Sequence, residues 1–288
     1  MKAELVHTTT TDGIRLDGAL VSPADDAGRH PTVDALLMIH GTGANFYASS
    51  LLSYLAEHFS KAGIAALLAN TRGRDLAYTA GTFDGPRRLG AAFERVDDCR
   101  RDLPAWFDLL RGRGNRRIGL LGHSLGAIKG VYALAVDGDD GPDCTCLCAI
   151  SPARLSHDYF LASPRGEEFR QTLQRAAQMV ENGNADTLID VRFPIPYLVT
   201  AAGYLDKYGP GERFNVLNHL GRLPCPTLFT FGSVEVRDHI AFAGLPEAIE
   251  AAEHAHLQVA TIAGADHVYS GTRTELASRI TRWLRSIG

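Results

Sequence analysis

Residues 118–135 read IGLLGHSLGAIKGVYALA. The apolar residues up to Leu121 predict a short buried strand, and the residues from Leu125 onward predict a helix. The five residues between these elements, GHSLG at 122–126, fit the pattern G-x-S-x-G, in which a sharp strand-to-helix turn exposes a serine hydroxyl. Ser124 is therefore the candidate nucleophile of a catalytic site.

A serine hydroxyl is a weak nucleophile at neutral pH, so it requires a positioned general base. His267 follows the last predicted strand, Leu257 to Ile262, and we expect it beside Ser124 at the carboxyl end of the sheet. His123 adjoins Ser124 in the sequence, but the sharp turn is expected to point its side chain elsewhere. His267 is therefore the predicted base.

The carboxylate that orients this base is expected just after the preceding strand, Thr227 to Phe231. Glu235 and Asp238 are the two candidates. Glu235 is preferred because it lies three residues beyond Gly232, at the end of the strand, whereas Asp238 lies deeper in the loop. There Asp238 would cap a turn or pair with Arg237, and it is retained as the second choice.

The residues His40-Gly41-Thr42-Gly43 end the first predicted parallel strand, Val33 to Ile39. A tetrahedral oxyanion needs backbone N–H donors in a fixed place, and a glycine-rich turn facing the serine can supply one. The backbone N–H groups of Thr42 and Leu125 are therefore the predicted oxyanion hole.

Predicted strands and helices alternate along most of the chain, which favours an α/β fold with a mainly parallel sheet covered by helices on both faces. An initial hairpin, Leu5 to Val21, would add an antiparallel edge. Helices are predicted over Asn45 to Ala62 and over Phe93 to Leu110, and Pro104 is expected to kink or split the second. The remaining predicted strands are Ile64 to Ala69, Ile118 to Leu121, Cys144 to Ile150, Thr227 to Phe231 and Leu257 to Ile262.

Residues 156–222 depart from this alternation, since they contain helical patches and no convincing strand. So long a segment between two strands predicts a helical insertion over one end of the sheet, which leaves 1–155 and 223–288 as the core. The insertion is rich in aromatic residues, some of which should face the cleft. The expected substrate-binding side chains are those of Tyr159, Phe160, Tyr197 and Tyr204.

Composition excludes several classes of function. A net charge of -4 gives no general attraction to nucleic acid or to anionic lipid. We find neither a signal peptide nor an apolar run long enough to cross a membrane, so a cytoplasmic protein is expected. Cys144, Cys146 and Cys148 would share one face of a strand, where they are expected to pack as small apolar groups and not to hold a metal.

Four features together resemble the α/β-hydrolase family. They are HGTG at 40–43, GHSLG at 122–126, an acid after the penultimate strand, and Asp266-His267 near the end of the chain. The chain order serine, acid, histidine matches that of the family. The resemblance covers the whole chain except the insertion, and it implies the α/β-hydrolase fold with residues 156–222 as an inserted lid or cap. A glutamate at the acid position departs from the more common aspartate.

The motifs and the resemblance predict acyl transfer to water through an acyl-enzyme on Ser124, with a small-molecule acyl substrate and no cofactor. A carboxylic ester or lactone hydrolase is favoured. A thioesterase or a carbon-carbon bond hydrolase would use the same triad and differ in pocket shape, which the sequence does not reveal. A non-catalytic ligand-binding protein of this fold is the alternative from a different class.

Overall fold

An eight-stranded sheet lies at the centre of the protein. The computed structural model describes residues 2–288, with the backbone alone at Asp139. The strands are β1 (Glu4–Thr9), β2 (Arg15–Val21), β3 (Ala35–Ile39), β4 (Ala65–Ala69), β5 (Tyr78–Thr82), β6 (Gly85–Leu89), β7 (Ile118–His123), β8 (Leu147–Ile150), β9 (Leu188–Val191), β10 (Tyr197–Thr200), β11 (Thr227–Gly232) and β12 (Leu257–Ile262). The helices are α1 (Ser50–Lys61), α2 (Cys99–Gly112), α3 (Leu125–Asp137), α4 (His157–Leu161), α5 (Gly166–Glu181), α6 (Ala201–Tyr208), α7 (Ser233–Asp238), α8 (Leu245–Glu250) and α9 (Arg273–Ser286).

The strand order in the central sheet is β1-β2-β4-β3-β7-β8-β11-β12. From β4 to β12 all neighbours pair in parallel, whereas β1 pairs with β2, and β2 with β4, in the antiparallel sense. The prediction of a mainly parallel sheet with an antiparallel hairpin at its edge is confirmed. In such a sheet the loops that follow the parallel strands converge on one edge, and a site in this fold is expected there.

The two faces of the sheet are covered by different helices. Leu37 of β3 belongs to the apolar cluster that contains Trp106 of α2, whereas Leu36 belongs to the cluster that contains Leu55 of α1 and Trp283 of α9. Successive side chains of one strand therefore enter opposite layers, as the alternation of a strand requires. Both layers anchor the strands that carry the loops of the site.

Helix α1 begins at Ser50, later than the predicted start at Asn45. The side chain of Ser49 accepts a hydrogen bond from the N–H of Leu52, at 3.3 Å, and so caps the helix. The Asn45 side chain instead accepts a hydrogen bond from the Ala48 N–H, at 2.7 Å, and holds a separate turn. Hydrophobic spacing alone predicts one helix over the whole segment. Hydrogen bonds from nearby backbone to the two polar side chains divide it into a turn and a helix.

Helix α2 runs without a break from Cys99 to Gly112, so Pro104, which was expected to kink or split the helix, does not split it. Proline removes one backbone donor, and within a 14-residue helix that packs an apolar face the remaining hydrogen bonds suffice. The predicted start at Phe93 is also too early. Glu94, one residue later, is buried and forms an ion pair with Lys129 before the helix begins.

The cysteines do not share one face of a strand as expected. Strand β8 begins only at Leu147, and Cys144, which precedes it, packs in the cluster of α2 and α3. Cys146 and Cys148 pack in the cluster of α1 and α9. All three thiols are buried and free.

Two hairpins lie outside the central sheet. Strands β5 and β6 form one of them, between β4 and α2, and β9 pairs with β10 in the other. The second hairpin lies in the insertion, so the expectation that residues 156–222 contain no strand is wrong. Each of its strands has only four residues, too few for a period-two pattern to stand out, although Ile189 and Val191 are both buried.

Across the described part of the chain, residues 2–288, no helix combines the length and the apolar character that a membrane span requires.

Candidate active site

Ser124 occupies the turn between β7 and α3. Its backbone φ and ψ are 55° and -120°, values that a residue with a side chain rarely adopts and that cost on the order of 1–3 kcal/mol. The N–H of Ser124 donates to the carbonyl of Ile150 at 2.8 Å, which ties the turn to the end of β8. The surrounding sheet therefore maintains a strained backbone that turns the hydroxyl into the cavity described below.

Two glycines make this turn possible by leaving space for backbone. A Cβ atom at Gly122 would lie 2.3 Å from the carbonyl oxygen of Gly126, and one at Gly126 would lie 2.6 Å from the carbonyl oxygen of His40. Both distances are far below van der Waals contact. The glycines of the G-x-S-x-G motif thus bring β7, α3 and the loop after β3 into direct backbone contact.

His267 lies in the loop after β12, and its Nδ1 is 2.7 Å from Oε2 of Glu235. Because the carboxylate is an acceptor, Nδ1 carries the proton and donates it, which leaves Nε2 of the neutral ring free to accept one. Glu235 lies on the first turn of α7, directly after β11. Asp238 pairs instead with its exposed neighbour Arg237, at 2.6 Å.

The other oxygen of Glu235 is held equally firmly. Oε1 accepts hydrogen bonds from the Gly232 N–H at 2.7 Å and from the Ser151 hydroxyl at 2.5 Å. The hydroxyls of Ser151 and Tyr269 are 3.0 Å apart, and Tyr269 lies 3.2 Å from the hydroxyl of Thr230. Glu235 is 5% exposed, so these polar groups replace water around a buried carboxylate and fix its orientation.

Sequence reasoning did not identify Ser151 or Tyr269, because neither lies in a recognisable motif. Both have a left-handed backbone, with φ of 48° and 56°, and they lie in the loops that follow β8 and β12. Ser151 is the residue directly after β8, in the place that Ser124 occupies after β7. Position at a strand end is the only signal in the sequence that points to it.

His40 organises the loop that contains Thr42. Its Nε2 accepts a hydrogen bond from the Thr71 N–H at 3.2 Å, and so its Nδ1 carries the proton that it donates to the Gly41 carbonyl at 2.8 Å. Burial, reinforced by the cation of Lys129, lowers the pKa of His40 to about 4. The ring is therefore neutral at pH 7 and acts as a fixed bridge between two strand ends.

The expectation that His123 points away from the site is wrong. His123 lines the same cavity as Ser124, and its Nε2 donates to the backbone carbonyl of His267 at 2.8 Å. Burial, together with the proximity of His267, lowers the pKa of His123 to about 3, so the ring is neutral. His123 thereby holds the loop that carries His267.

A cavity of about 500 Å³ opens at this edge of the sheet. The core contributes the residues already described, Thr42, His123, Ser124, Leu125, Glu235 and His267, together with Gly41, Ala44, Ile128, Ala153, Leu155, His239, Phe242 and Val268. The insertion contributes Ile195, Pro196, Tyr197, Lys207 and Tyr208. The structure thus brings the predicted serine, histidine, glutamate and both oxyanion-hole residues to one cavity, whose wall is otherwise mainly apolar.

Of the four aromatic residues predicted to bind substrate, Tyr197 alone lines this cavity. Phe160 and Tyr204 are fully buried inside the insertion; the ring of Phe160 lies 5.6 Å from that of Phe193, and the Tyr204 hydroxyl donates to the Phe193 carbonyl at 3.2 Å. The Tyr159 hydroxyl donates to the Ala243 carbonyl at 3.3 Å. These three side chains pack the insertion and its contact with the core, which corrects the expectation.

The wall also contains Lys207 and Tyr208, which were not among the four substrate-binding residues selected from the sequence. Both lie at the end of α6, the helix that Tyr204 shares. Helical spacing marks the apolar positions of α6, but it does not reveal which face meets the insertion's own core and which meets the cavity.

The sequence matches the model of the Alpha/beta hydrolase family over residues 36–279. No curated protein sequence matches the chain. Among solved structures, the α/β-hydrolase GrgF from Penicillium sp. sh18 is similar with a TM-score of 0.71 and 18% identity, over 99% of each chain. Est1E from Butyrivibrio proteoclasticus is similar with a TM-score of 0.66 and 16% identity, over 98% of each chain.

A soluble variant of monoglyceride lipase from Saccharomyces cerevisiae is similar with a TM-score of 0.68 and 13% identity, over 100% of this chain and 96% of that one. At these identities the likeness to solved structures establishes the fold alone. The family model, by contrast, covers most of the sequence. The predicted family and the predicted hydrolase class are thus confirmed, and the chain belongs to the alpha/beta hydrolase family.

Proposed function

We propose that the protein is a serine hydrolase that cleaves a carboxylic ester or lactone through an acyl-enzyme on Ser124. The observation that carries the proposal is the placement of Ser124, on a strained turn, in one cavity with His267, whose Nδ1 is hydrogen-bonded to Glu235. This arrangement supplies a nucleophile, a base and an orienting carboxylate at a single place.

In the first half of the reaction, the Ser124 oxygen attacks the substrate carbonyl while Nε2 of His267 takes the hydroxyl proton. Glu235 stabilises the imidazolium that results, because its carboxylate already holds Nδ1 at 2.7 Å. The carbonyl oxygen becomes an oxyanion, which the backbone N–H groups of Thr42 and Leu125 receive. The C–O bond to the alcohol then breaks, and His267 returns the proton to the departing oxygen.

In the second half, water attacks the acyl carbon of the Ser124 ester while Nε2 of His267 accepts a water proton. The same oxyanion hole receives the charge. The bond between the acyl carbon and the Ser124 oxygen breaks, the proton passes to that oxygen, and the carboxylic acid leaves. Neither half requires a cofactor.

The insertion, residues 156–222, is proposed to act as a cap on the core formed by 1–155 and 223–288. Its five lining residues supply part of the cavity wall, and Tyr197 remains the proposed substrate-binding residue among the four selected from the sequence. Because the wall is mainly apolar, a small organic ester is the proposed substrate class. This class agrees with the names of several similar structures, one of which is an esterase domain from Rhodothermus marinus.

A fluorophosphonate probe and 4-nitrophenyl butyrate test the proposal together. The wild-type protein should bind the probe covalently at Ser124 and hydrolyse the ester, and Ser124→Ala should do neither. Ser270→Ala is the matched control, since Ser270 is exposed, lies near His267 in the sequence and does not line the cavity. Absence of both labelling and turnover in the folded wild-type protein would refute the proposed function and favour a ligand-binding role.

A thioester and a vinylogous 1,5-diketone distinguish the neighbouring activities, since thioesterases and carbon-carbon bond hydrolases use the same three side chains. A kcat/KM on either compound that exceeds those on oxygen esters and lactones by 100-fold would replace ester hydrolysis as the assignment.

A further inference from the structure

Tyr208 presents its hydroxyl to the cavity from the insertion side. The residue lies at the end of α6, is 2% exposed and lines the cavity wall. Within the described residues, 2–288, its hydroxyl forms no hydrogen bond, and the oxygen retains accessible surface. Because the rest of the side chain is enclosed, this small surface is the part of Tyr208 that faces the cavity.

The neighbours of Tyr208 within the insertion position its ring and leave its hydroxyl without a partner. Between ring centres, Tyr208 lies 5.0 Å from Tyr204 and 6.0 Å from both Phe160 and Phe169. These rings enclose the phenol by packing against it. A buried phenol normally has a hydrogen-bond partner, so a hydroxyl that lacks one in the chain and faces a cavity points to a partner on a bound ligand.

Two other tyrosines of the insertion place their hydroxyls differently. The Tyr204 hydroxyl donates to the Phe193 carbonyl at 3.2 Å, inside the insertion. The side chain of Tyr197 lines the cavity, but its hydroxyl oxygen has no accessible surface, so a ligand in the cavity does not reach that atom. Of these three tyrosines, Tyr208 is therefore the one whose hydroxyl can meet a ligand.

The Tyr208 hydroxyl acts as a neutral donor. Burial raises the pKa of Tyr208 well above its usual range, so the phenol keeps its proton at neutral pH. Burial lowers the pKa of Lys207 in the same wall, whereas the carboxylates of Glu94 and Asp206 raise it, so this cation already has negative charge of the chain near it. Burial of a charged ligand group against a mainly apolar wall costs more than burial of a neutral carbonyl, which favours an uncharged acceptor.

We propose that the substrate is an ester with a second, uncharged acceptor oxygen remote from the scissile bond, and that the Tyr208 hydroxyl donates a hydrogen bond to this oxygen. The inference rests on the proposed ester hydrolysis and narrows its substrate class. Tyr208 belongs to the insertion and Ser124 to the core, so the contact is made away from the reacting carbonyl. Tyr208 is thus a specificity residue, because an ester without the acceptor leaves its donor unpaired.

Four pairs of esters test the proposal. Each pair compares a ketone with the alkene in which a methylidene group replaces the ketone oxygen, so that the shape is kept and the acceptor is lost. On the acyl side the ketones are ethyl 5-oxohexanoate and ethyl 6-oxoheptanoate, and on the alcohol side they are 4-oxopentyl butyrate and 5-oxohexyl butyrate. In at least one pair the wild-type kcat/KM should be at least about fivefold higher for the ketone.

Tyr208→Phe removes the hydroxyl alone. It should bring kcat/KM for the ketone to within about twofold of that for the alkene, and it should leave the midpoint of urea unfolding unchanged, because the hydroxyl bonds no described part of the chain. Tyr204→Phe, about one turn earlier on the same helix, is the matched control. It should keep the ketone preference and lower the unfolding midpoint, because it removes the hydrogen bond to the Phe193 carbonyl.

The outcomes separate the two proposals. A ketone preference below about fivefold in every pair, with 4-nitrophenyl butyrate still hydrolysed, overturns the acceptor site and leaves the proposed function intact. A preference that Tyr208→Phe retains also overturns it. So does an unfolding midpoint that is lower in Tyr208→Phe than in Tyr204→Phe, because the hydroxyl would then have a partner within the chain. Absence of all turnover overturns both proposals.

Discussion

The core side of the cavity and the insertion side are built in different ways. On the core side Ser124, Glu235 and His267 each follow a strand of the sheet, and backbone hydrogen bonds fix the place of each loop. On the insertion side, the positions of the lining residues depend on an aromatic cluster. The ring centres of Phe160, Phe169 and Tyr208 in this cluster lie within about 6 Å of one another. Strand ends are set by pairing that extends across the sheet, whereas side chains in a small cluster are set by local packing.

The largest effect is expected from Ser124→Ala, which tests the core side. Removal of the nucleophile should lower kcat for 4-nitrophenyl butyrate by at least about 10⁴-fold, because members of a triad act as a unit. The thermal midpoint should change by no more than a few degrees, since the hydroxyl supports no part of the fold. A steady-state assay with active protein at high concentration, together with a thermal scan, measures both. Retention of more than a hundredth of the activity would contradict the role of Ser124.

Glu235→Gln should lower kcat by about 10²–10⁴-fold, because an amide no longer holds His267 in the tautomer that accepts a proton at Nε2. Asp238→Asn is the matched control, since Asp238 contacts exposed Arg237, and it should retain activity within about twofold. Parallel kinetics on the two variants make the comparison. A larger loss in the control would show that the acid is Asp238.

On the insertion side, Phe160→Ala should lower the free energy of unfolding by about 3–5 kcal/mol, since it deletes a fully buried ring. Its effect on kcat/KM for an acetyl ester should stay within about threefold. Tyr197→Ala should show the opposite pattern, with a smaller loss of stability and a changed ratio of kcat/KM between long and short acyl esters. Urea unfolding and a series of acyl chain lengths measure the two effects. If both variants lost the same stability and changed the acyl-chain ratio of kcat/KM equally, the distinction between Phe160 in the aromatic cluster and Tyr197 in the cavity wall would be wrong.

The pH dependence of stability tests whether two histidines on the core side are buried as neutral rings. His40 and His123 have folded-state pKa values of about 4 and about 3, below an unfolded value near 6.5. As the pH falls below about 6.5 the unfolded chain binds protons that the folded chain does not, so stability is lost until the folded pKa is reached. At pH 5 the expected loss, relative to pH 7.5, is roughly 2 kcal/mol for each histidine.

Urea unfolding at the two pH values measures this loss. His40→Gln should reduce the difference between the two pH values by about 2 kcal/mol, whatever its own stability at pH 7.5. Replacement of exposed His7 by glutamine is the control and should leave the difference unchanged. A wild-type stability that is flat between pH 7.5 and pH 5 would contradict the burial of these neutral rings.

The parts of the fold that depend on repeated patterns were accessible from the sequence. Val33 to Ile39 is apolar apart from Asp34, and Thr227 to Phe231 is apolar apart from two threonines. The alternation of such strands with helices predicted the mainly parallel sheet and the edge at which Ser124 and His267 are expected to meet. Glu235 could be preferred to Asp238 from the sequence because it lies three residues beyond Gly232, at the end of β11, whereas Asp238 lies further along the chain. Periodicity and strand order together define this half of the site.

The remaining features depend on contacts between segments that are distant in the sequence. Ser151 meets Glu235 only because β8 and β11 are neighbours in the sheet. His123 reaches the carbonyl of His267 only because the loop after β12 folds back. Phe160 and Tyr197 are both aromatic residues of the insertion, and composition does not distinguish the one that is enclosed from the one that lines the cavity.

Strands β8 and β11 are adjacent and parallel in the sheet, and the insertion leaves after one and returns before the other. Its length and internal structure can therefore change without altering the pairing register of any strand. Ser124, His267 and Glu235 lie outside the segment that would change. Under the proposed role of the insertion as a cap, exchange of this segment would change the substrate range as a module, at a cost in local packing and none in the registration of the loops that carry Ser124, Glu235 and His267. Transplanting residues 156–222 from a relative is the corresponding engineering route.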